Sequence, residues 1–347
     1  MIDSCVVTVC GYRLHYLAAG NGPPVMLLHG FVGSAEEWRP TLAALAGQGY
    51  RAIAVDALGF GRSDKPGDAP YSLSLYADLY AGLLDTLDLG SAAFIAHSMG
   101  GKFALATAIL HPTRMTRLVL ADTDGFAPAS PLTKAGDWPL LGPALLWISA
   151  QTMVVRAFLR AAFARPEAFV TPELIERSRN ALSGPDNRRA LQGLCRHYDA
   201  IDLQRSGLRA RLNEIRCPTL IVWGSQDRVF SSDYSAVVQQ EIAGSQLVLL
   251  PDCGHFPHIE AADDFQKIVT AFLADGDTSA GGGAGPQAPA QPLFRPVGSA
   301  STPQRAETQR LPEGQRPSGP PHRNGYDQRN YYYNETSPGL KGVEKGH

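Results

Sequence analysis

Apolar and polar positions along the first 275 residues follow two alternating rhythms. Val25–His29, Ala92–Ala96, Arg117–Ala121 and Thr219–Trp223 hold short, almost unbroken apolar runs. Runs of that length fit strands buried on both faces of a sheet. Cys5–Val9 and Arg13–Leu17, joined by a turn at Gly11, are predicted strands as well, as are Arg51–Val55 and Gln246–Leu250. Between the strands the period lengthens. In Ser34–Gly49, Trp38, Leu42 and Leu45 share one helical face, and Gly49 supplies a stop. Leu75–Leu87, Met99–Leu110 (ended by Pro112), Asp233–Ile242 and Ala261–Leu273 are the other helices of this part. Strands alternating with helices predict an α/β fold with a mostly parallel eight-stranded sheet covered by helices on both faces.

The rhythm breaks twice. Between Asp122 and Cys217 no strand-like run occurs, and helical segments lie near Leu140–Ala164, Glu173–Leu182 and Asn187–Tyr198. This predicts a helical cap inserted at 125–211, with 1–124 and 212–275 forming the core. Its arginines, from Arg156 to Arg211, read as solvated helix faces. From 276 to 347 the chain turns to Gly, Pro, Gln and Arg, beginning with Gly281-Gly282-Gly283-Ala284-Gly285-Pro286. Such a segment has too little apolar surface to offset its ordering entropy, and a disordered tail is predicted.

Composition narrows the partners. A hydrophobic content of 44% over 347 residues supports one large core. Lys+Arg 31 against Asp+Glu 33 lacks the basic excess of a general nucleic-acid binder. No run of about 18 apolar residues predicts a transmembrane segment. The opening residues lack a basic stretch followed by an apolar one, and the five cysteines are scattered without a CxxC pair. A cytoplasmic setting with reduced thiols is the expectation.

Candidate chemistry centres on Phe94-Ile95-Ala96-His97-Ser98-Met99-Gly100-Gly101-Lys102, where a strand runs into a serine and a helix follows at once. A serine on such a tight turn needs small residues two positions before and two after it. Ala96 and Gly100 meet that need, although the first position is usually glycine. A helix N-cap would explain the serine alone, but not its flanks.

With three further segments the chain resembles the α/β-hydrolase superfamily over residues 5 to about 273. His29-Gly30-Phe31 follows the third strand, where the family places its oxyanion loop. Asp56-Ala57-Leu58-Gly59-Phe60-Gly61-Arg62-Ser63 resembles its D-x-x-G-x-G-x-S turn. Gly224-Ser225-Gln226-Asp227 and Cys253-Gly254-His255-Phe256 match its acid and histidine loops. The order Ser, Asp, His is the order of this fold. The resemblance implies Ser98 as nucleophile, His255 as general base, and Asp227 as the acid orienting it. Backbone N–H groups of Phe31 and Met99 would receive the oxyanion. Asp122 is the rival acid, at a site some members use, and Asp124 a weaker one. His29 is expected to bond nearby backbone, and His97 to tune packing. No metal or organic cofactor is implied, since His255 and His258 lack further ligands at metal spacing.

An elbow serine disfavours haloalkane dehalogenases and epoxide hydrolases, which carry aspartate there. The cap run Leu140–Ile148, continued by Val154, Val155, Phe158, Leu159 and Phe163, is strongly apolar. Trp138, Trp147, Met153 and Phe158, with Phe256, are therefore candidate substrate-lining residues. The expectation is a serine hydrolase acting on a small-molecule carboxylic ester with an apolar group, similar to esterases and monoacylglycerol-lipase-like enzymes. A C–C bond hydrolase of the meta-cleavage type is the alternative. These share Ser98-Met99-Gly100-Gly101 but usually carry tryptophan where this chain has Phe256. A cofactor-free haloperoxidase or perhydrolase uses the same three residues, and a hydrolase-fold receptor with little turnover is the reading outside catalysis.

Overall fold

The computed structural model describes residues 1–128, 138 and 141–275. The predicted tail, and residues 129–137, 139 and 140 of the insertion, lie outside the described residues. Eight strands form one sheet: β1 (Asp3–Val9), β2 (Tyr12–Ala19), β3 (Pro24–Leu28), β4 (Arg51–Val55), β5 (Ala92–His97), β6 (Met115–Ala121), β7 (Thr219–Gly224) and β8 (Gln246–Leu250). Their order is β1-β2-β4-β3-β5-β6-β7-β8. The pairs β1–β2 and β2–β4 are antiparallel, and every other pair is parallel. β5 lies between β3 and β6, and all six of its residues are buried.

The unbroken apolar runs have a direct cause. Successive strand side chains point to opposite faces, and here both faces are covered. Met26, Leu28, Phe94, Ala96, Leu118 and Leu120 enter one core cluster. Val25, Leu27, Ala93, Ile95, Val119 and Ala121 enter the other. The first cluster is completed by α2 (Leu73–Thr86) and α3 (Met99–Leu110), where Tyr76 stacks on Phe103 at 3.8 Å between ring centroids. The second takes Leu42 and Leu45 of α1 (Arg39–Gly47), with residues such as Phe265 and Val269 from the last helix, Ala262–Ala274.

The D-x-x-G-x-G-x-S segment is an internal brace. The Asp56 carboxylate accepts from Ala35 N, Arg62 N and the His15 ring, while Ser63 Oγ donates to the Asp56 carbonyl. A Cβ at Gly61 would lie 2.1 Å from the Asp56 carboxyl carbon, and Gly61 has φ +53°. Only glycine closes that turn.

Between β6 and β7 the described chain is entirely helical or irregular: α4 (Gly142–Ser149), α5 (Thr152–Ala162), α6 (Pro166–Phe169), α7 (Pro172–Leu182), α8 (Pro185–Arg196) and α9 (Tyr198–Ile201). After β7 come α10 (Asp233–Glu241), α11 (Pro257–Glu260) and α12 (Ala262–Ala274). No single helix among the described residues is long and apolar enough to cross a membrane.

Candidate active site

In a parallel sheet the loops beyond the carboxyl ends of the strands gather on one side, which is where such folds place ligands. Ser98 directly follows β5, His29–Phe31 follow β3, Asp227 lies beyond β7, and His255 lies beyond β8. Ser98 has φ +51° and ψ −120°, a conformation costing about 1–3 kcal/mol for a residue with a Cβ. Its neighbours hold it there. Ser98 N donates to the Ala121 carbonyl at 2.9 Å, and the Ser98 carbonyl accepts from Gly101 N and Asp124 N at 2.9 and 3.0 Å. Closeness explains the small residues downstream. A Cβ at Gly100 would meet the Leu28 and His29 carbonyls at 2.7 Å, and one at Gly101 would overlap Thr123 Oγ1. Ala96 is wholly buried and has a negative φ, so its methyl group fits where glycine is usual.

The acid and histidine loops press against each other. A Cβ on Gly224 would lie 2.0 Å from the Gly254 carbonyl, and Gln226 N donates to the Cys253 carbonyl. This contact brings the three predicted side chains together. His255 Nε2 lies 3.0 Å from Ser98 Oγ, and His255 Nδ1 lies 2.8 Å from Asp227 Oδ2. The other Asp227 oxygen accepts from Val229 N at 2.7 Å and Phe230 N at 3.1 Å. All three side chains are buried.

Asp122, the rival acid, is close but differently employed. Its Oδ1 accepts from Gly224 N at 3.0 Å. Burial, reinforced by the neighbouring Asp227 charge, pushes its carboxyl well above the usual range. Its protonated form is thus favoured beside an aspartate that faces the imidazole. Asp124 instead pairs with Lys102 at 2.7 Å.

The oxyanion loop touches the elbow: a Cβ on Gly30 would fall 3.0 Å from Ser98 Cβ. Phe31 follows Gly30 with its ring edge-on to Phe60. The Met99 N–H opens α3, so no carbonyl of that helix takes it. His29 is structural as expected. Its Nε2 accepts from Ala57 N at 3.0 Å, which places the ring proton on Nδ1, bonded to the Gly30 carbonyl at 2.7 Å.

His97 does more than pack. Its Nε2–H donates to the His255 backbone carbonyl at 2.7 Å. Burial first, then the nearby His258 and His255 rings, keep its pKa well below the ordinary value and the ring neutral. Glu37 faces it from the turn before α1. Burial opposes ionisation of Glu37, but His258 first, with His29 and Arg177, outweighs that and holds the carboxyl below its usual range. Among the described residues, two groups of side chains have geometry suited to a cation: Asp122, Asp227 and His255, two of which belong to the Ser98 relay, and Glu37, His97 and His258.

Sequence reasoning missed Glu260. Its carboxylate accepts from Gly254 N and Ala164 N, both at 2.9 Å, and the Arg165 side chain donates to its carbonyl at 2.7 Å. His255 N donates to the Ala162 carbonyl at 2.8 Å. The histidine loop is thus stitched to the end of α5. Burial holds the Glu260 carboxyl above its usual range, and these N–H donors offset only part of that rise. Glu260→Ala strands buried donors, and an expected destabilisation of about 3 kcal/mol is measurable by urea unfolding.

The predicted lining residues do not gather at Ser98 in the same way. Phe256 is half-buried, stacked on Phe163 at 4.7 Å and set edge-on to His255. Trp138, Trp147, Met153 and Phe158 are each more than half exposed. The buried face of α5 is Val155, Leu159 and Ala162. Trp147 borders a cavity of about 280 Å³ with Gln151, Arg179, Leu182 and Arg188, none of which belongs to the Ser98 relay.

Comparisons with known proteins agree with this architecture. A family model described as alpha/beta hydrolase fold matches residues 23–262. A 2-hydroxymuconate semialdehyde hydrolase of Pseudomonas sp. (strain CF600) is 31% identical over 282 residues, covering 79% of this chain and 95% of that protein. The crystal structure of an enol-lactonase from Burkholderia xenovorans LB400 is similar with a TM-score of 0.65 and 28% identity, over 78% of this chain and 99% of that one. A meta-cleavage product hydrolase from Pseudomonas fluorescens IP01 is similar with a TM-score of 0.67 and 26% identity, over 78% and 97%. The chain belongs to the α/β-hydrolase fold family.

Proposed function

We propose that this hydrolase cleaves a carbon–carbon bond in a ring-cleaved aromatic acid, a 2-hydroxy-6-oxo-dienoate, with Ser98 as nucleophile, His255 as base and Asp227 as its orienting acid. The observation that supports it most is the relay Ser98–His255–Asp227 in a chain 31% identical to a 2-hydroxymuconate semialdehyde hydrolase across 95% of that protein. This replaces the sequence expectation of an apolar ester, for which the comparisons give weaker support. Phe256, where such hydrolases usually carry tryptophan, is a departure from their pattern that weighs against the carbon–carbon reading.

The chemistry follows from the groups at hand. The substrate's 2-enol first ketonises, its hydroxyl proton being lost and C5 gaining one, so that C5 is saturated beside the C6 carbonyl. Ser98 Oγ then adds to C6 as His255 Nε2 takes its proton. Asp227 stabilises the imidazolium that forms. The C6 oxyanion is received by the Phe31 and Met99 N–H groups, each worth about 3–4 kcal/mol in the transition state. The C5–C6 bond breaks, its electron pair delocalising as a dienolate onto the C2 oxygen, and the imidazolium returns the proton. Water, activated by His255, releases the carboxylic acid from Ser98. The helices between β6 and β7 serve as a cap, anchored through Glu260 and Phe163 beside the histidine loop.

A second reading, hydrolysis of an ester or lactone, is favoured by the similarity to the enol-lactonase and needs no change of residues. Comparing kcat/KM on a 2-hydroxy-6-oxo-dienoate, followed by loss of its absorbance, with that on p-nitrophenyl esters of graded chain length separates the two. The expected ratio favours the dienoate by at least about a hundredfold, some 2.7 kcal/mol of transition-state binding. A preference for the esters sinks the carbon–carbon reading.

A further inference from the structure

Beside the relay lie three side chains that hydrolysis does not use. Glu37 comes from the turn before α1, His97 from the end of β5 and His258 from α11, and the three side chains are 7%, 1% and 0% exposed. Glu37 Oε1, His97 Nδ1 and both ring nitrogens of His258 are buried without a hydrogen-bond partner. Buried polar atoms are nearly always paired, so this group points to a missing partner; taking one atom from each residue, that partner would satisfy three of the four and leave one His258 nitrogen over.

The separations say which kind. His97 Nδ1 lies 3.8 Å and His258 Nε2 3.6 Å from Glu37 Oε1, too far for direct hydrogen bonds. A bridging water with bonds of about 2.8 Å would be squeezed to angles of about 80–85° at those separations, well short of tetrahedral. A cation with bonds of about 2.1 Å would subtend about 120° and 130°, within reach of a four-coordinate site. All three ligand atoms lie within 4.8 Å of one another. The surroundings fit as well. A metal-bound histidine donates its other ring N–H to a carbonyl or carboxylate, which fixes its tautomer, and His97 Nε2–H donates to the His255 carbonyl at 2.7 Å. The His258 ring is held flat by Trp38, stacked at 4.3 Å.

We propose that Glu37, His97 and His258 bind one divalent transition-metal cation of the zinc class, as a structural clip joining the nucleophile elbow, the histidine loop and the start of α1. Two imidazoles and a carboxylate suit zinc better than magnesium or calcium, which prefer all-oxygen sites. A site this buried fills as the chain folds.

The test uses the full chain, expressed in zinc-supplemented medium and purified without chelator. Elemental analysis is expected to give about one zinc per chain, falling to near zero in Glu37→Gln and His258→Gln. Retention of zinc by both variants would overturn the proposal. So would a wild-type protein without zinc. Should a variant not fold, anomalous diffraction from the wild-type protein decides. A zinc peak between the three side chains upholds the site, and a peak elsewhere or none refutes it.

Discussion

Replacing Ser98 by alanine is expected to lower kcat by on the order of 10⁵–10⁶, and His255→Ala by as much, because the two act as one unit. The Ser98 hydroxyl is the side-chain oxygen bonded to His255 Nε2. Without it the imidazole has no alcohol to deprotonate, and only the oxyanion donors and substrate binding remain. Single-turnover kinetics on the dienoate measures the loss, and a fluorophosphonate probe should label wild type but not Ser98→Ala. For carbon–carbon cleavage this result is diagnostic. A loss below about tenfold would mean that His255 activates water to attack C6 directly, with no acyl-enzyme, and would remove Ser98 from the nucleophile's role.

Asp227→Asn is expected to cost about 10⁴ in kcat, for a reason visible in its hydrogen bonds. Val229 N and Phe230 N both donate to Oδ1. In asparagine the carbonyl oxygen must stay there, which turns the NH₂ group toward His255 Nδ1. The imidazole is then forced to carry its proton on Nε2, where it cannot accept one from Ser98. Asp122→Asn should behave oppositely, with kcat within about tenfold of wild type, because asparagine mimics a protonated acid. Stability carries a second signature. The folded state keeps the Asp122 proton well above the usual carboxylate range, so above about pH 4 it holds a proton that the unfolded chain has lost. Stability therefore falls with rising pH through that window. Asp122→Asn should flatten that slope in urea unfolding at pH 5 and pH 8. A larger catalytic loss in Asp122→Asn than in Asp227→Asn would reverse the assignment of the acid.

Much of this architecture is legible in sequence because two-faced burial leaves a strong trace. β3, β5 and β7 are buried almost throughout and β6 from Leu118 onward, and their apolar runs bound each strand to within two residues. The helix expected over Ser34–Gly49 forms in two pieces. Pro40, at the first turn of a helix, starts α1 anew after a 3₁₀ turn at Ala35–Trp38. The segment Leu140–Ala164 divides at Ala150–Gln151 into α4 and α5 without a proline or glycine to mark the break, and its described part begins at residue 141. Because α4 is apolar all round, no period told which residues would face solvent, and Trp147 does. Ser98, Asp227 and His255 were readable because each sits in a short local pattern. The grouping of Glu37, His97 and His258 was not, since a turn, a strand end and a short helix far apart in the chain meet only after the sheet has formed.

The bond from His255 N to the Ala162 carbonyl has a mechanical consequence. The helical insertion and the His255 loop are joined by this peptide contact and by the Glu260 bonds, so a displacement of the last turn of α5 is passed directly to the imidazole. A substitution that shifts the end of α5 would therefore move His255 relative to Ser98 without touching either side chain.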